Sequence, residues 1–200
     1  DIIGNNPAGT EIYFTATGVN PTNMLAYKVD LKGKQTLITK EAGVHSVKIS
    51  TDGNYIFDEF SNHDTPSKSL LIDKNGKATT LLQSANKYAG YDIGTAEIKT
   101  IKSADGKTDL YTRLIKPSNF DPAKKYPVLV YVYGGPHAQL ITNSSLDGAS
   151  LWMYWMAEQG YLVFTVDNRG SGNRGYAFES VIHRRLGVNE IDDQMKGVDS

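Results

Sequence analysis

The chain has 200 residues, 40% hydrophobic and 22% charged, with 21 basic against 22 acidic side chains and no cysteine. Residues 1–92 hold 9 basic and 10 acidic residues and residues 93–200 hold 12 of each, so neither half calls for nucleic acid or an anionic membrane as partner. The composition excludes a disulfide framework, a thiolate metal site and a disordered chain, and no apolar run approaches the roughly 20 residues of a membrane helix.

One or two domains are expected from this length. Asp1 is not an initiator Met and residues 1–30 lack the basic and apolar regions of a signal peptide, so the chain is expected to be processed or cut from something larger. From the start, short strands alternate with turn signals: Glu11 to Thr17, Met24 to Leu31, Val44 to Ile49, Asn54 to Phe60 and Ser69 to Asp73. Lys74-Asn75-Gly76-Lys77 reads as a hairpin with a type I′ turn. Thr36 to Ile38 and Thr80 to Leu82 lead out of two similar units. A repeat of about 45 residues fits the four-stranded blade of a β-propeller, and two blades cannot close a ring. A small free-standing antiparallel domain is the alternative.

From about residue 93 the pattern changes. Glu97 to Lys102 and Leu110 to Lys116 read as a hairpin around Ala104-Asp105-Gly106-Lys107. The run Val128 to Tyr133, all aliphatic or aromatic, reads as a strand buried on both faces in the middle of a parallel sheet, stopped by Gly134, Gly135 and Pro136. A polar loop from Gln139 to Asp147, a helix over Leu151 to Ala157 ended by Gly160, and a buried strand over Tyr161 to Val166 complete a βαβ unit. Phe178, Val181, Ile182 and Leu186 have the spacing of a short amphipathic helix. A final helix opens near Asn189, carries Glu190, Asp192 and Asp193 in its first turn, and is expected to bury Ile191, Met195 and Val198.

Tyr133-Gly134-Gly135-Pro136-His137, then Val163 to Gly172 with Asn168-Arg169-Gly170-Ser171-Gly172, then His183-Arg184-Arg185-Leu186-Gly187 and Asp193-Gln194, resemble the opening of the hydrolase domain of the prolyl oligopeptidase family. The likeness is strongest to the dipeptidyl peptidase IV branch, which includes bacterial dipeptidyl and prolyl tripeptidyl peptidases. Acylaminoacyl-peptidase relatives usually carry His where this chain has Tyr133. The resemblance implies a mixed fold: the last blades of a β-propeller over residues 1–92, then the N-terminal portion of an α/β-hydrolase domain over residues 93–200. It implies a serine exopeptidase that cleaves N-terminal di- or tripeptides from substrates with a free N-terminus, usually after proline, without a cofactor. A periplasmic or extracellular location follows from the bacterial members.

No serine has glycine at both −2 and +2, and Ser171, the nearest candidate for a nucleophile elbow, follows Arg169. The triad is therefore expected beyond Ser200, and this chain alone is expected to be inactive. His45, His63, His137 and His183 lack metal-pair spacing and read as surface or structural residues. By resemblance, Tyr133 supplies a phenol donor to the oxyanion hole; without it, Tyr133 reads as a core tyrosine capping a strand. Arg169 is a candidate substrate-binding wall of the cleft, but equally a pin held by Asp167 or another carboxylate, and the latter is favoured. Arg184 and Arg185 suggest ion pairs with Glu190, Asp192 and Asp193. Asp58-Glu59 does not match the paired glutamates that bind the substrate amine in dipeptidyl peptidases, which are expected upstream of Asp1. A catalytically dead scaffold that binds partners is the alternative function, and a generic α/β esterase is disfavoured by the propeller-like strands. The sheet edge left open makes a homodimer a further expectation.

Overall fold

Hairpins of one design shape the first part of the chain. The Asp30 carboxylate accepts the N–H groups of Lys32 and Lys34, both at 2.9 Å, while Gly33, at φ +83°, donates to the Asp30 carbonyl. Asp73 repeats the arrangement with Asn75 (2.8 Å), Lys77 (3.0 Å) and Gly76 at φ +81°. Gly76 alone of the Asn-Gly pair takes a positive φ, so the type I′ turn expected there is instead a turn with one left-handed residue. The Asp73 side chain decides this by holding the two following N–H groups in the tighter arrangement.

The computed structural model describes all 200 residues. One compact unit comprises Asp1–Lys87 with Thr142–Asp147, and a second comprises Tyr88–Ile141 with Gly148–Ser200. The first unit holds two four-stranded antiparallel meanders, β1 (Ile2–Asn5) to β4 (Gln35–Leu37) through β2 (Glu11–Ala16) and β3 (Leu25–Asp30), and β5 (Val44–Ile49) to β8 (Ala78–Gln83) through β6 (Tyr55–Ser61) and β7 (Lys68–Asp73). Corresponding strands begin 42 to 44 residues apart, as at Ile2 and Val44, and at Glu11 and Tyr55. Only β1 was absent from the expected series, since Ile-Ile-Gly-Asn is too short to alternate. Buried Tyr13, Ala26, Phe60, Leu70 and Ile72 form the apolar interior. His45 is buried with them, its Nδ1 2.8 Å from Asp58 Oδ2 and its ring stacked on Phe60. Thr142–Asp147 joins this unit through Asn143, whose N–H donates to Thr22 O at 2.7 Å, and through Asp147, 2.9 Å from His63 Nδ1.

The second unit is built on a mixed sheet of order β11-β12-β10-β9, from β9 (Thr95–Lys102), β10 (Asp109–Lys116), β11 (Val128–Val130) and β12 (Leu162–Val166). The β9–β10 and β10–β12 pairs are antiparallel, and β11 runs parallel to β12, joined to it by α1 (Leu151–Glu158). Leu110, Val166 and Phe178 form a core against which Ile101 and Phe164 pack. Within these residues β11 is the edge strand, paired only with β12, and Val128 and Tyr133 are more than half exposed; the strand expected over Val128 to Tyr133 ends at Val130. Its apolar run is the composition of a strand with neighbours on both sides, while these residues supply one neighbour.

Two helices are also corrected. The stretch expected as one amphipathic helix breaks after a single turn, α2 (Tyr176–Glu179), and a 3-10 turn over Ser180–Ile182; Phe178 and Ile182 are buried, but Leu186 lies outside at 70% exposure. Helix α3 (Asn189–Val198) has the expected span and the opposite face: Ile191, Met195 and Val198 are 53–59% exposed, and Glu190, Asp193, Gln194 and Gly197 are buried. Gly197 shows why. A Cβ there would lie 2.5 Å from Val166 Cγ2 and 3.2 Å from Phe164 Cε1, so the helix sits closer to β12 than any side chain permits. Gly197→Ala should lower stability by about 1–3 kcal/mol through overpacking, outweighing the helix propensity of alanine. A shift of the urea midpoint to lower concentration checks it; an unchanged or raised midpoint contradicts the close packing.

Candidate active site

Because β11 and β12 run parallel and adjacent, the loops leaving their carboxyl ends meet, which is where open α/β sheets bind ligands. The loop after β12 holds the loop after β11 at several points. Asp167, buried, accepts the N–H groups of Leu140 (2.9 Å) and Ile141 (3.0 Å). Burial pushes its pKa above the usual carboxylate value, against the pull of those two donors and of the Arg113 and Arg174 charges. Asn168 Nδ2 donates to Gly134 O at 3.3 Å, Gly172 N–H to Ala138 O at 2.9 Å, and Asn173 Nδ2 to Gln139 Oε1 at 3.1 Å. Arg113, buried on β10, adds a 2.7 Å bond to Leu140 O.

Tyr133 stands at the head of the loop thus pinned. Its side chain is 59% exposed, and its hydroxyl makes no hydrogen bond within the chain. The turn after it needs glycine: Gly134 has φ +75°, and a Cβ on Gly135 would come 3.3 Å from Tyr133 Cε1. A core tyrosine capping a strand would instead have its phenol buried and partnered.

Arg169 is almost wholly buried, and all three of its nitrogens have carboxylate partners within the chain. Nε and one terminal nitrogen reach Asp193 Oδ2 and Oδ1, both at 2.9 Å, and the other terminal nitrogen reaches Asp105 at 2.7 Å. Asp193, fully buried, further accepts the N–H groups of Arg169 (3.0 Å) and Ala104 (2.9 Å). The bonds it donates to Asp193 raise the Arg169 pKa further, so the guanidinium stays charged. Its geometry is that of a brace tying the β12 loop to α3 and to the β9–β10 turn. The carboxylate is Asp193 rather than neighbouring Asp167, whose oxygens face the other loop.

Arg184 and Arg185 lack the expected ion pairs: Asp193 is held by Arg169, Glu190 accepts the Gly187 N–H at 3.1 Å, and no salt bridge forms to Asp192. The Ser171 hydroxyl is buried and donates to Asn168 O at 2.5 Å, which leaves it no role as nucleophile. His137 follows the Gly-Gly-Pro turn at φ +64°, and His183 lies exposed after the 3-10 turn. No group of histidine and carboxylate side chains is placed to hold a metal. Asn168 and Gln194 each lie within a motif of the sequence, Asn168-Arg169-Gly170-Ser171-Gly172 and Asp193-Gln194, without being site candidates there, and only the fold shows what they touch.

Two carboxyls around this frame are held below their ordinary range: Glu97 down to about 2, mainly by its bond from Lys116 and then that from Lys99, and Asp105 by the Ser103 hydroxyl first and the Lys107 N–H and Arg169 after it. Depressed carboxyls stabilise the fold above their unfolded values near pH 4 and lose that contribution as the pH falls toward 2. Asp167 has the opposite sign, its ionisation becoming costly as pH rises. The thermal midpoint should therefore fall between about pH 4 and 2, and Glu97→Gln should flatten that slope. An identical slope in the variant would remove Glu97 from the account.

Known proteins place these features together. The Dipeptidyl peptidase IV (DPP IV) N-terminal region model matches residues 1–67, and the Prolyl oligopeptidase family model matches residues 148–200. Human dipeptidyl peptidase 8 is 33% identical over 200 residues, spanning 94% of this chain and 22% of that protein; dipeptidyl peptidase 4 of Trichophyton rubrum is 34% identical over 194 residues, spanning 92% and 25%. A Bacteroides ovatus protein assigned as a dipeptidyl aminopeptidase IV superposes with a TM-score of 0.90 at 45% identity, and Porphyromonas gingivalis dipeptidyl peptidase 4 with 0.89 at 25%; each match covers all of this chain and 29% of the other. The chain thus spans about a quarter of the length of the relatives it matches. Its two four-stranded meanders belong to the propeller region, and its mixed sheet is the start of the hydrolase domain. With both regions matched in the family's order, and with relatives aligned across them, the chain belongs to the prolyl oligopeptidase family, in its dipeptidyl peptidase IV branch.

Proposed function

We propose that these residues serve in a serine exopeptidase that releases N-terminal di- or tripeptides, typically after proline, through an acyl-enzyme, and that Tyr133 is one of its two oxyanion donors. The observation that carries this reading is the exposed, unpartnered Tyr133 phenol at the head of a loop immobilised by its neighbour. When a nucleophile attacks a peptide carbonyl, negative charge builds on the oxygen, and a donor already fixed in place stabilises it without reorganisation. The kinship with dipeptidyl peptidases supports the substrate class. A second donor would be the N–H after the nucleophilic serine, in a Gly-X-Ser-X-Gly elbow that these 200 residues do not contain. We therefore expect the 200 residues alone to hydrolyse nothing.

Incubating a peptide with proline at its second position with a full-length protein carrying these residues tests the reading, with the products identified by mass. Release of an N-terminal di- or tripeptide supports it. An uncleaved peptide, still bound by the folded protein, would favour a scaffold that has lost its chemistry.

A further inference from the structure

Asn168 is a polar residue in the core whose hydrogen-bonding capacity is aimed at the Tyr133 turn. It is buried, with Nδ2 donating to Gly134 O at 3.3 Å and to Arg169 O at 2.7 Å, while Oδ1 accepts from Gln194 Nε2 at 2.9 Å. The other Nε2 hydrogen of Gln194 goes to Val166 O at 3.0 Å. Carbonyl oxygens only accept, so the partners dictate both amide orientations: each nitrogen must face its carbonyls. Gln194 Oε1 is buried with no partner. An apolar side chain would avoid that cost, so the bonds made by the nitrogen are what the amide contributes at this position.

We propose that Asn168, oriented by Gln194 of α3, is a positioning residue for the oxyanion donor. It holds the Gly134–Gly135 peptide, in the turn directly after Tyr133, so that the phenol is aimed before substrate arrives; this rests on the reading of Tyr133 given above. Gly134 lies at φ +75° in a backbone region where glycine has several alternatives, and its carbonyl is the atom Asn168 restrains. A Cβ on Gly135 would come 3.3 Å from Tyr133 Cε1, so the turn that Asn168 restrains borders the space the ring occupies. The relay Val166–Gln194–Asn168–Gly134 thus joins α3 and the end of β12 to the turn, alongside the Arg169–Asp193 brace, without touching substrate itself.

The test is a double-mutant cycle on a Gly-Pro chromogenic amide in the full-length protein, with Tyr133→Phe, Asn168→Ala and their combination. Asn168→Ala should lower kcat about tenfold with KM unchanged, and should change kcat by less than about twofold once Tyr133 is already Phe, because it acts through that phenol. Gln194→Leu keeps Asn168 but removes its orienting bond, so it should give a smaller loss that Tyr133→Phe likewise abolishes, and it serves if Asn168→Ala fails to fold. Losses that persist in full on the Tyr133→Phe background, or that fall on KM, would overturn the proposal while leaving Tyr133 as donor. A kcat untouched by Tyr133→Phe would overturn the reading of Tyr133 and the proposal with it.

Discussion

Tyr133→Phe in a full-length protein carrying these residues is expected to lower kcat for a Gly-Pro amide by about 10²–10³ while leaving KM near its original value. The substitution removes one oxygen and keeps the ring, so the Gly134–Gly135 turn has no reason to rearrange. In the proposed role the phenol would meet charge that only the transition state carries, so the loss belongs in kcat, and a fixed donor of that kind contributes about 3–4 kcal/mol. The phenol has no partner within the chain to lose, and stability should not change. A variant with intact kcat would remove Tyr133 from the chemistry and return it to a surface position at a strand end.

The second large effect is on folding. Asp193→Ala is expected to destabilise the second unit by about 3–5 kcal/mol, a large share of the 5–15 kcal/mol that holds a typical domain together. It removes the acceptor of four donors at once: two guanidinium nitrogens and the N–H groups of Arg169 and Ala104. Arg169 would then keep only Asp105, on a turn at the surface, as its charge partner. Asp193→Asn retains one acceptor oxygen and should lose less. Denaturant midpoints of the three proteins decide it; an alanine variant as stable as the parent would show that Arg169 finds another partner and is no brace.

How far the sequence reveals this depends on what each residue answers to. Strand β5 lies where alternation placed it, at Val44–Ile49, because its partners are close in sequence and its faces differ. Gly134 and Pro136 mark the turn after Tyr133, but the strand stops earlier than they suggest, at Val130, where its pairing with β12 ends. Helix α3 was read with the wrong face inward. Apolar spacing marks Ile191, Met195 and Val198 as a stripe, yet a buried arginine two elements away and the missing side chain of Gly197 decide which side meets β12. The apolar run of β11 reports the neighbours a strand is suited to, while the open sheet edge, also expected from the sequence, is what these residues leave beside it. Asn168 is legible only as part of the Asn168-Arg169-Gly170-Ser171-Gly172 motif, since what it bonds is a carbonyl 34 positions earlier and an amide 26 positions later.

The measurement that bears most directly on the central claim is the turnover of a Gly-Pro chromogenic amide by the 200-residue chain and by a full-length protein that carries it. The account predicts hydrolysis by the longer protein, a loss of about 10²–10³ in its kcat with Tyr133→Phe, and none by the 200 residues, which contain no Gly-X-Ser-X-Gly elbow. Hydrolysis by the 200 residues, or a longer protein indifferent to Tyr133, would contradict it.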